Sequence, residues 1–191
     1  MTSAQDVPAA QQRPQRADAR RNYEALLAAA HDAFADDGSS ASLEDIARRA
    51  GVGIGTLYRH FPTRKDLFEA VYVNEVEALC RSAADVAELA PWDGLVGWIH
   101  RFVEYTATKR AVAEELARES ELFQTCRVAI VAAGEPLLER AQAAGDARSD
   151  VRFDDVLRLI MGITLMQIIE PEQRQRVLGM ALDGMRSRTV N

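Results

Sequence analysis

Residues 42–64 read SLEDIARRAGVGIGTLYRHFPTR, a stretch that predicts two short helices separated by a tight turn. Ser42 is the expected N-cap of the first helix, because a serine hydroxyl accepts a hydrogen bond from a backbone N–H and Asp45 follows three residues later. Gly51-Val52-Gly53 interrupts the apolar helical pattern, and Pro62 ends it. The stretch therefore has the plan of a helix-turn-helix, with small Ala47 allowing the two helices to approach.

Helical periodicity continues outward from this segment in both directions. A first helix is expected from near Asp18 to Gly38, and a fourth begins at the N-cap Thr63 and reaches about Val86. Later helices are expected at 92–109, 112–118, 122–144 (entered irregularly at Gly134 and Pro136), 153–169 and 171–186, with a loop at 145–150. No alternating strand pattern competes with them, so the chain is expected to be all-α.

Composition divides the chain into three parts. Residues 1–16 are rich in Gln, Ala, Pro and Arg and have no apolar period, so they are expected to form a flexible basic tail. Residues 17–64 hold the three N-terminal helices, and 65–191 form a second, larger helical domain. We expect a folded cytoplasmic protein, since 48% of its residues are hydrophobic and neither a signal-peptide core nor a membrane-spanning stretch stands out.

The charge distribution nominates the helix-turn-helix for an anionic partner. The whole chain is acidic, with a formal net charge of −6. Between Asp45 and Asp66, however, it carries no acid and five cations, which are Arg48, Arg49, Arg59, Arg64 and Lys65. Phosphate binding needs such local positive potential, although a solvated helix face would also explain it.

The motif itself closely resembles the DNA-binding signature of the TetR family of bacterial transcriptional regulators. The resemblance rests on Leu43-Glu44-Asp45-Ile46-Ala47, Ala50-Gly51-Val52, and the run from Gly55 to Leu67, which reads GTLYRHFPTRKDL. It covers about 45 residues. The rest of the chain has only the size and helical character of the family, because the effector domains of its members diverge.

The resemblance implies which residues contact DNA. Thr56, Tyr58 and His60 contact the backbone or adjacent base edges, and Tyr58 also reaches toward bases. By this resemblance Ser42 contacts a phosphate, Arg59 reaches toward bases, and Arg64 stands where the family commonly has Lys. The full implied set is Ser42, Gly53, Ile54, Gly55, Thr56, Tyr58, Arg59, His60, Arg64 and Lys65. Gly53 and Ile54 depart from the polar residues usual at the start of the recognition helix, and isoleucine suits a thymine methyl. Lys65 stands where an acid is often found, which should strengthen phosphate attraction and its salt dependence.

The same resemblance implies a small-molecule effector and a homodimer. Aromatic and Met side chains at helical spacing usually form a core, but in this family such residues also line an effector pocket. The candidates are Trp98, Phe102, Tyr105, Phe123, Met161 and Met166. Apolar residues cover more than one face of the last two helices, and Gly162, Gly179 and Gly184 permit close helix approach, so residues 153–187 are expected to form a four-helix dimer interface.

The sequence offers little support for an enzyme. Gly51, Gly53 and Gly55 lack the full dinucleotide-binding fingerprint and follow a helix rather than a strand. The three histidines have no i, i+4 pairing and no neighbouring Cys, so no metal site or cofactor is expected. Cys80 and Cys126 are isolated thiols, and a redox role for either stays open.

These features together predict a DNA-binding transcriptional regulator, in the first place a repressor. Two copies would bind a pseudo-palindromic operator and would be released when an effector tilts helix 4. Two alternatives stay open, namely a regulator that answers to no small molecule and a helical interaction protein that has lost DNA binding. The effector, the operator and the regulated genes are not encoded in any readable motif.

Overall fold

The computed structural model describes residues 17–113, 121–165 and 170–187. Within these ranges the chain forms eight α-helices and no strand, which confirms the all-α prediction. The helices are α1 Ala17–Asp37, α2 Leu43–Arg49, α3 Ile54–His60, α4 Arg64–Asp85, α5 Pro91–Ala113, α6 Glu121–Ala143, α7 Phe153–Leu165 and α8 Pro171–Met185. None of these helices is long and apolar enough to cross a membrane.

The N-terminal helices begin and end where local signals place them. A 3-10 turn, Gly38–Ser40, follows α1, and Gly38 has a φ of 60° there. Ser42 is the N-cap of α2, as expected, and its side chain accepts from the amide of Asp45. Gly51 has a φ of +69°, a left-handed conformation that side chains rarely adopt, so a glycine is needed at the turn between α2 and α3.

Two expectations for the later helices were wrong. Helix α5 runs without interruption from Pro91 to Ala113, so no new helix begins at Val112. Helix α6 is continuous through Gly134 and Pro136. A proline removes one backbone donor from a helix interior, and here the helix continues past that loss. The remainder of the expected helix 112–118 and the end of 153–169 lie outside the described residues.

The chain divides into two compact units, each described here by itself. The head unit comprises residues 17–77, 107–113 and 121–126, and the body unit comprises 78–106, 127–165 and 170–187. In the core of the head unit, the rings of Phe34 and Phe68 stack with centroids 4.0 Å apart. In the core of the body unit, Trp98 is fully buried and stacks on Phe102 at 5.7 Å.

The C-terminal end of α8 is hydrogen-bonded to the loop that follows α6. Arg148 donates from its backbone to the carbonyl of Met185 and from its side chain to that of Gly184. The amide of Gln142 donates to the carbonyls of Arg148 and Val151, which fixes the loop itself. The C-terminal end of α8, which has unsatisfied carbonyls like any helix end, is therefore capped by this loop.

Candidate DNA-binding surface

The orientation of α3 is fixed by the residues that it buries. Leu57 is fully buried on the inner face of α3, against a core that includes Ile46 of α2. Just past the end of α3, Phe61 is also fully buried, and its ring lies 5.1 Å from that of Tyr23 on α1. Because one face of α3 is committed to this core, the opposite face points to solvent. That exposed face carries Gly53, Ile54, Gly55, Tyr58 and Arg59.

Two members of this face are large and apolar or aromatic. Ile54 is 37% exposed and Tyr58 is 46% exposed, and because they lie one turn apart on α3 they form a small contiguous patch. Thr56 and His60 are only half-buried at the flanks of the helix. The ring of His60 makes an edge contact with Tyr23 at 5.9 Å. Burial, and then the charge of Arg59, lowers the pKa of His60, so the imidazole is favoured in its neutral form.

At the start of α2, Ser42, which was expected to contact a phosphate, lies beside the carboxylate of Glu44. The hydroxyl of Ser42 accepts from the amide of Asp45 at 3.4 Å and donates to the carboxylate of Glu44 at 2.9 Å. Hydrogen bonds from its own backbone N–H and from Ser42 lower the pKa of Glu44. The exposed hydroxyl of Ser42 therefore has an ionised carboxylate beside it, which a bound phosphate would have to displace or approach closely.

Two of the five cations in the acid-free window are paired with carboxylates from outside it. Arg49 donates to Asp45 at 2.6 Å and to Asp36, at the end of α1, at 3.2 Å. Arg48 forms an ion pair with the same Asp45. Both arginines lower the pKa of Asp45. These contacts join the C-terminal ends of α1 and α2, and they offset much of the positive charge that the sequence suggested.

Arg64 has a clear role inside the head unit. Its Nη1 donates to the backbone carbonyl of Ala41 at 2.7 Å, and its guanidinium carbon lies 5.2 Å from the centre of the Phe68 ring and 5.9 Å from that of Phe34. Ala41 is buried and immediately precedes the N-cap Ser42. Arg64 thus links the first residue of α4 to the entry of α2.

The two remaining cations of the window face solvent. The ammonium of Lys65 lies 3.6 Å from the carboxylate of Glu69, one turn later, and its side chain is 70% exposed. Arg59 is exposed and has no ion-pair or hydrogen-bond partner within the part of the chain that the structure describes. The positive charge available to a ligand at the recognition helix is therefore centred on Arg59.

The start of α4 has a reciprocal capping box. The backbone N–H and the hydroxyl of Thr63 both donate to Asp66 at 2.8 Å, and the amide of Asp66 donates back to the hydroxyl at 3.2 Å. Thr63 is therefore the N-cap that the sequence predicts. Both the backbone N–H and the hydroxyl of Thr63 donate within this cap. They are therefore already used by the protein rather than open to a phosphate.

The residues proposed from the sequence for an effector pocket do not lie together in one unit. Trp98, Phe102 and Tyr105 form a buried row on α5 in the body unit, where the Trp98 indole donates to the carbonyl of Leu79 at 3.3 Å. Phe123 is buried in the head unit, with its ring 4.6 Å from that of Tyr72. Met161 is half-buried on α7, and Met166 lies outside the described residues.

In the proposed dimer region, most apolar side chains of α7 are buried within the chain itself. Of the apolar α7 side chains whose burial is described, Met161 is half-buried and Leu159 is 43% exposed; on α8, Met180 is 73% exposed. Gly162 on α7 and Gly179 on α8 have open space around them, because an added Cβ would meet nothing within 4 Å. Among the described residues of this region, the unburied apolar surface is therefore smaller than the sequence suggested, and it lies near small residues.

Sequence reasoning missed several residues that shape this surface. The acceptors Asp36 and Ala41, which hold Arg49 and Arg64, were not recognised. The pairs of Asp45 with Arg48 and Arg49 did have a signal in the sequence, namely their i, i+3 and i, i+4 spacings on one helix. In the body unit, Arg140 on α6 was also missed, although it donates to the carbonyls of Ala87 and Leu89 after the end of α4.

Helices α2 and α3 pack through a buried inner face, and the opposite face of α3 is exposed. This arrangement is that of a helix-turn-helix DNA-binding protein. Comparison with known families is more specific. Residues 26–71 match the family model of bacterial regulatory proteins of the tetR family, and residues 90–187 match that of the C-terminal domain of SbtR-like transcriptional regulators. The chain belongs to the TetR family of transcriptional regulators.

Solved structures of relatives agree with this assignment. The TetR transcriptional regulator SCO0520 from Streptomyces coelicolor is 41% identical, covers 87% of this chain and 99% of its own, and has a TM-score of 0.76. A TetR regulatory protein from Mycobacterium vanbaalenii is 32% identical, covers 91% and 99%, and has a TM-score of 0.73. The HTH-type transcriptional regulator SAR0097 of Staphylococcus aureus is 36% identical over 84 residues. That match spans 42% of this chain and less than half, 44%, of the curated relative.

Proposed function

We propose that this protein is a transcriptional repressor that binds a pseudo-palindromic DNA operator as a homodimer and is released by a small-molecule effector. The observation that carries the proposal is the exposed face of α3, which presents Ile54, Tyr58 and Arg59 opposite the buried Leu57. An exposed aromatic, an exposed branched aliphatic and an unpaired guanidinium on one short helix suit the base edges and phosphates of a major groove.

The proposed contact surface keeps the residues expected from the sequence and orders them by their placement. Ile54, Tyr58 and Arg59 lie at its centre, flanked by Gly53, Gly55, Thr56 and His60, with Ser42 and Lys65 at its edges. Arg64 is the member for which the structure offers a competing role, because its guanidinium already binds Ala41. We propose residues 17–64 as the DNA-binding domain and 65–191 as the effector-binding and dimerisation domain.

Support for the homodimer comes from α7 and α8. Met180 and Leu159 are exposed apolar side chains in the part of the chain that the structure describes, and burying such residues is the usual driving force of association. Gly162 and Gly179 have ordinary φ angles and empty surroundings, so they leave room for a partner helix. A dimer would place two α3 helices in successive major grooves, about 34 to 36 Å apart.

The proposal for the effector rests on the aromatic row of α5. Trp98, Phe102 and Tyr105 are buried in a continuous row of ring contacts, and they would provide an apolar, polarisable lining if an effector opened a pocket beside them. Helix α4 contributes residues to both units, so a shift of α4 on effector binding would reach the DNA-binding domain. A coupling of roughly 1 to 3 kcal/mol would change the affinity for the operator by about 5- to 150-fold.

The proposal is tested by mobility shift with the purified full-length protein and fragments selected from genomic DNA. We expect a retarded complex of two chains per operator, which Tyr58→Ala weakens at least tenfold. Leu89→Ala is the matched control, because Leu89 is similarly exposed, at 49%, but lies outside the helix-turn-helix. The absence of any complex, or equal losses with both variants, would refute DNA binding by this face. An affinity that does not change with salt would favour the alternative of a helical interaction protein.

A further inference from the structure

Gly55 and Arg59 occupy the outermost line of the recognition helix. Each residue turns an α-helix by about 100°, so residues two before and two after the fully buried Leu57 point most directly away from the core. Those residues are Gly55 and Arg59, which are one turn apart and both exposed. Long helical side chains lean toward the N-terminus, so the open space outside Gly55, where an added Cβ would meet nothing within 4 Å, is within reach of the Arg59 side chain.

The fold gives no reason for a glycine at position 55. An added Cβ would meet nothing within 4 Å, and the φ of Gly55 is not in the left-handed region. Gly51, in contrast, needs its φ of +69° to form the turn. Alanine is a better helix former than glycine, so Gly55, the second residue of α3, stabilises the helix less than alanine would and gains no packing contact among the described residues. The remaining use of such a glycine is the close approach of a ligand to the backbone.

Arg59 differs from the other cations of the helix-turn-helix because its charge is uncommitted. Arg48 and Arg49 are paired with carboxylates, Arg64 binds a carbonyl beneath two aromatic rings, and Lys65 has Glu69 as a neighbour. Arg59 has no such partner among the described residues. Ligand binding would therefore break no existing contact of this guanidinium, and it would not need to displace a carboxylate.

We infer that Arg59 is the specificity-determining residue of the DNA-binding surface, donating two hydrogen bonds to one guanine in each half-site through the gap left by Gly55. The planar guanidinium fork matches the O6 and N7 acceptors of guanine, a pattern found only in the major groove. Its place at the centre of the exposed face, rather than at an edge, favours a base over a phosphate. The inference rests on the proposed function, since it specifies how the same surface reads DNA.

Selection from a random double-stranded DNA library tests this inference, using the full-length wild type, Arg59→Ala and the control Arg48→Ala. Arg48 is equally cationic and its side chain is 76% exposed, but it is paired with Asp45. We expect the wild type to enrich a two-fold symmetric site with one guanine per half-site that the Arg59→Ala protein no longer selects. Affinity for the wild-type site, measured by fluorescence anisotropy, should fall roughly 10- to 100-fold for Arg59→Ala and stay within about twofold for Arg48→Ala.

Gly55→Ala supplies an independent readout. It should raise the melting temperature of the protein, because alanine favours a helix, and should lower affinity for the selected site at least tenfold. Unchanged DNA affinity in Gly55→Ala would overturn the close approach. Equal weakening of Arg59→Ala on every sequence would show a phosphate contact and overturn base reading by Arg59, as would no weakening at all. If the wild type enriches no sequence, the proposed function itself fails and this inference with it.

Discussion

Replacing Arg64 by methionine separates a role inside the protein from a contact with phosphate. Methionine keeps an apolar stem against Phe34 and Phe68 but removes the charge and every donor. A hydrogen bond from a charged group contributes about 1.5–3 kcal/mol, and a partly exposed cation over an aromatic ring about 0.5–1 kcal/mol. The 2.7 Å bond to the Ala41 carbonyl and the ring contact at 5.2 Å together predict a loss of about 2–4 kcal/mol in the free energy of unfolding.

Two measurements on Arg64→Met carry the test. Urea denaturation should show the loss of stability, while the slope of log affinity for DNA against log salt should stay that of the wild type. Lys65→Met is the matched control from the next position, since its exposed pair with Glu69 contributes little to stability. That variant should keep its stability within about 0.5 kcal/mol and reduce the salt slope by about 1. The reverse pattern, with Arg64→Met stable and its slope reduced by about 1, would refute the internal role of Arg64.

Three further predictions follow from other contacts. Gly134→Ala should lower the free energy of unfolding by about 1–3 kcal/mol in urea titrations, because an added Cβ would lie 2.7 Å from the Trp98 ring and collide with Phe153; unchanged stability would contradict this packing. The pKa of His60 in the folded protein lies below its ordinary value of 6.5. Neutral His60 therefore contributes its full stabilisation of the fold above pH 6.5, and this contribution is lost as the pH falls from 6.5 toward the lower folded-state pKa. His60→Asn should therefore flatten the loss of melting temperature below pH 6.5, and an unaltered pH profile would count against this assignment. Met180→Glu should dissociate the dimer in sedimentation experiments, whereas Val128→Glu, at another exposed apolar position, should not. The same oligomeric state for both variants would argue against α8 as the interface.

Helices α2 and α3 were predictable almost to the residue because their limits depend on local chemistry. Ser42 caps α2, Gly51 supplies the left-handed turn, and α3 ends before Pro62. Such signals act over a few residues and need no knowledge of the fold. The break expected before Val112 rested on helical period alone, which does not set a boundary; the lack of a glycine, proline or cap there is consistent with the continuous α5.

The composition of the recognition face was predictable, but its charge was not. Apolar spacing includes Leu57, which the structure buries, and the family resemblance names Tyr58 and Arg59 as DNA contacts, which the structure leaves exposed. The pairing of Arg49 with Asp36 joins two helices, and a linear count of charges contains no such information. The contact of Arg64 with Ala41 is invisible for a second reason, since its acceptor is a backbone carbonyl that every residue possesses.

The central claim, that the exposed face of α3 reads a DNA sequence, is tested most directly by one affinity ratio. Fluorescence anisotropy would compare the full-length protein on its selected duplex and on a random duplex of equal length, over a series of salt concentrations. We predict binding to the selected site at least about 10³-fold tighter at physiological salt, with a steep fall in affinity for both duplexes as salt rises. Equal affinity for the two duplexes, or binding that salt does not weaken, would contradict the account.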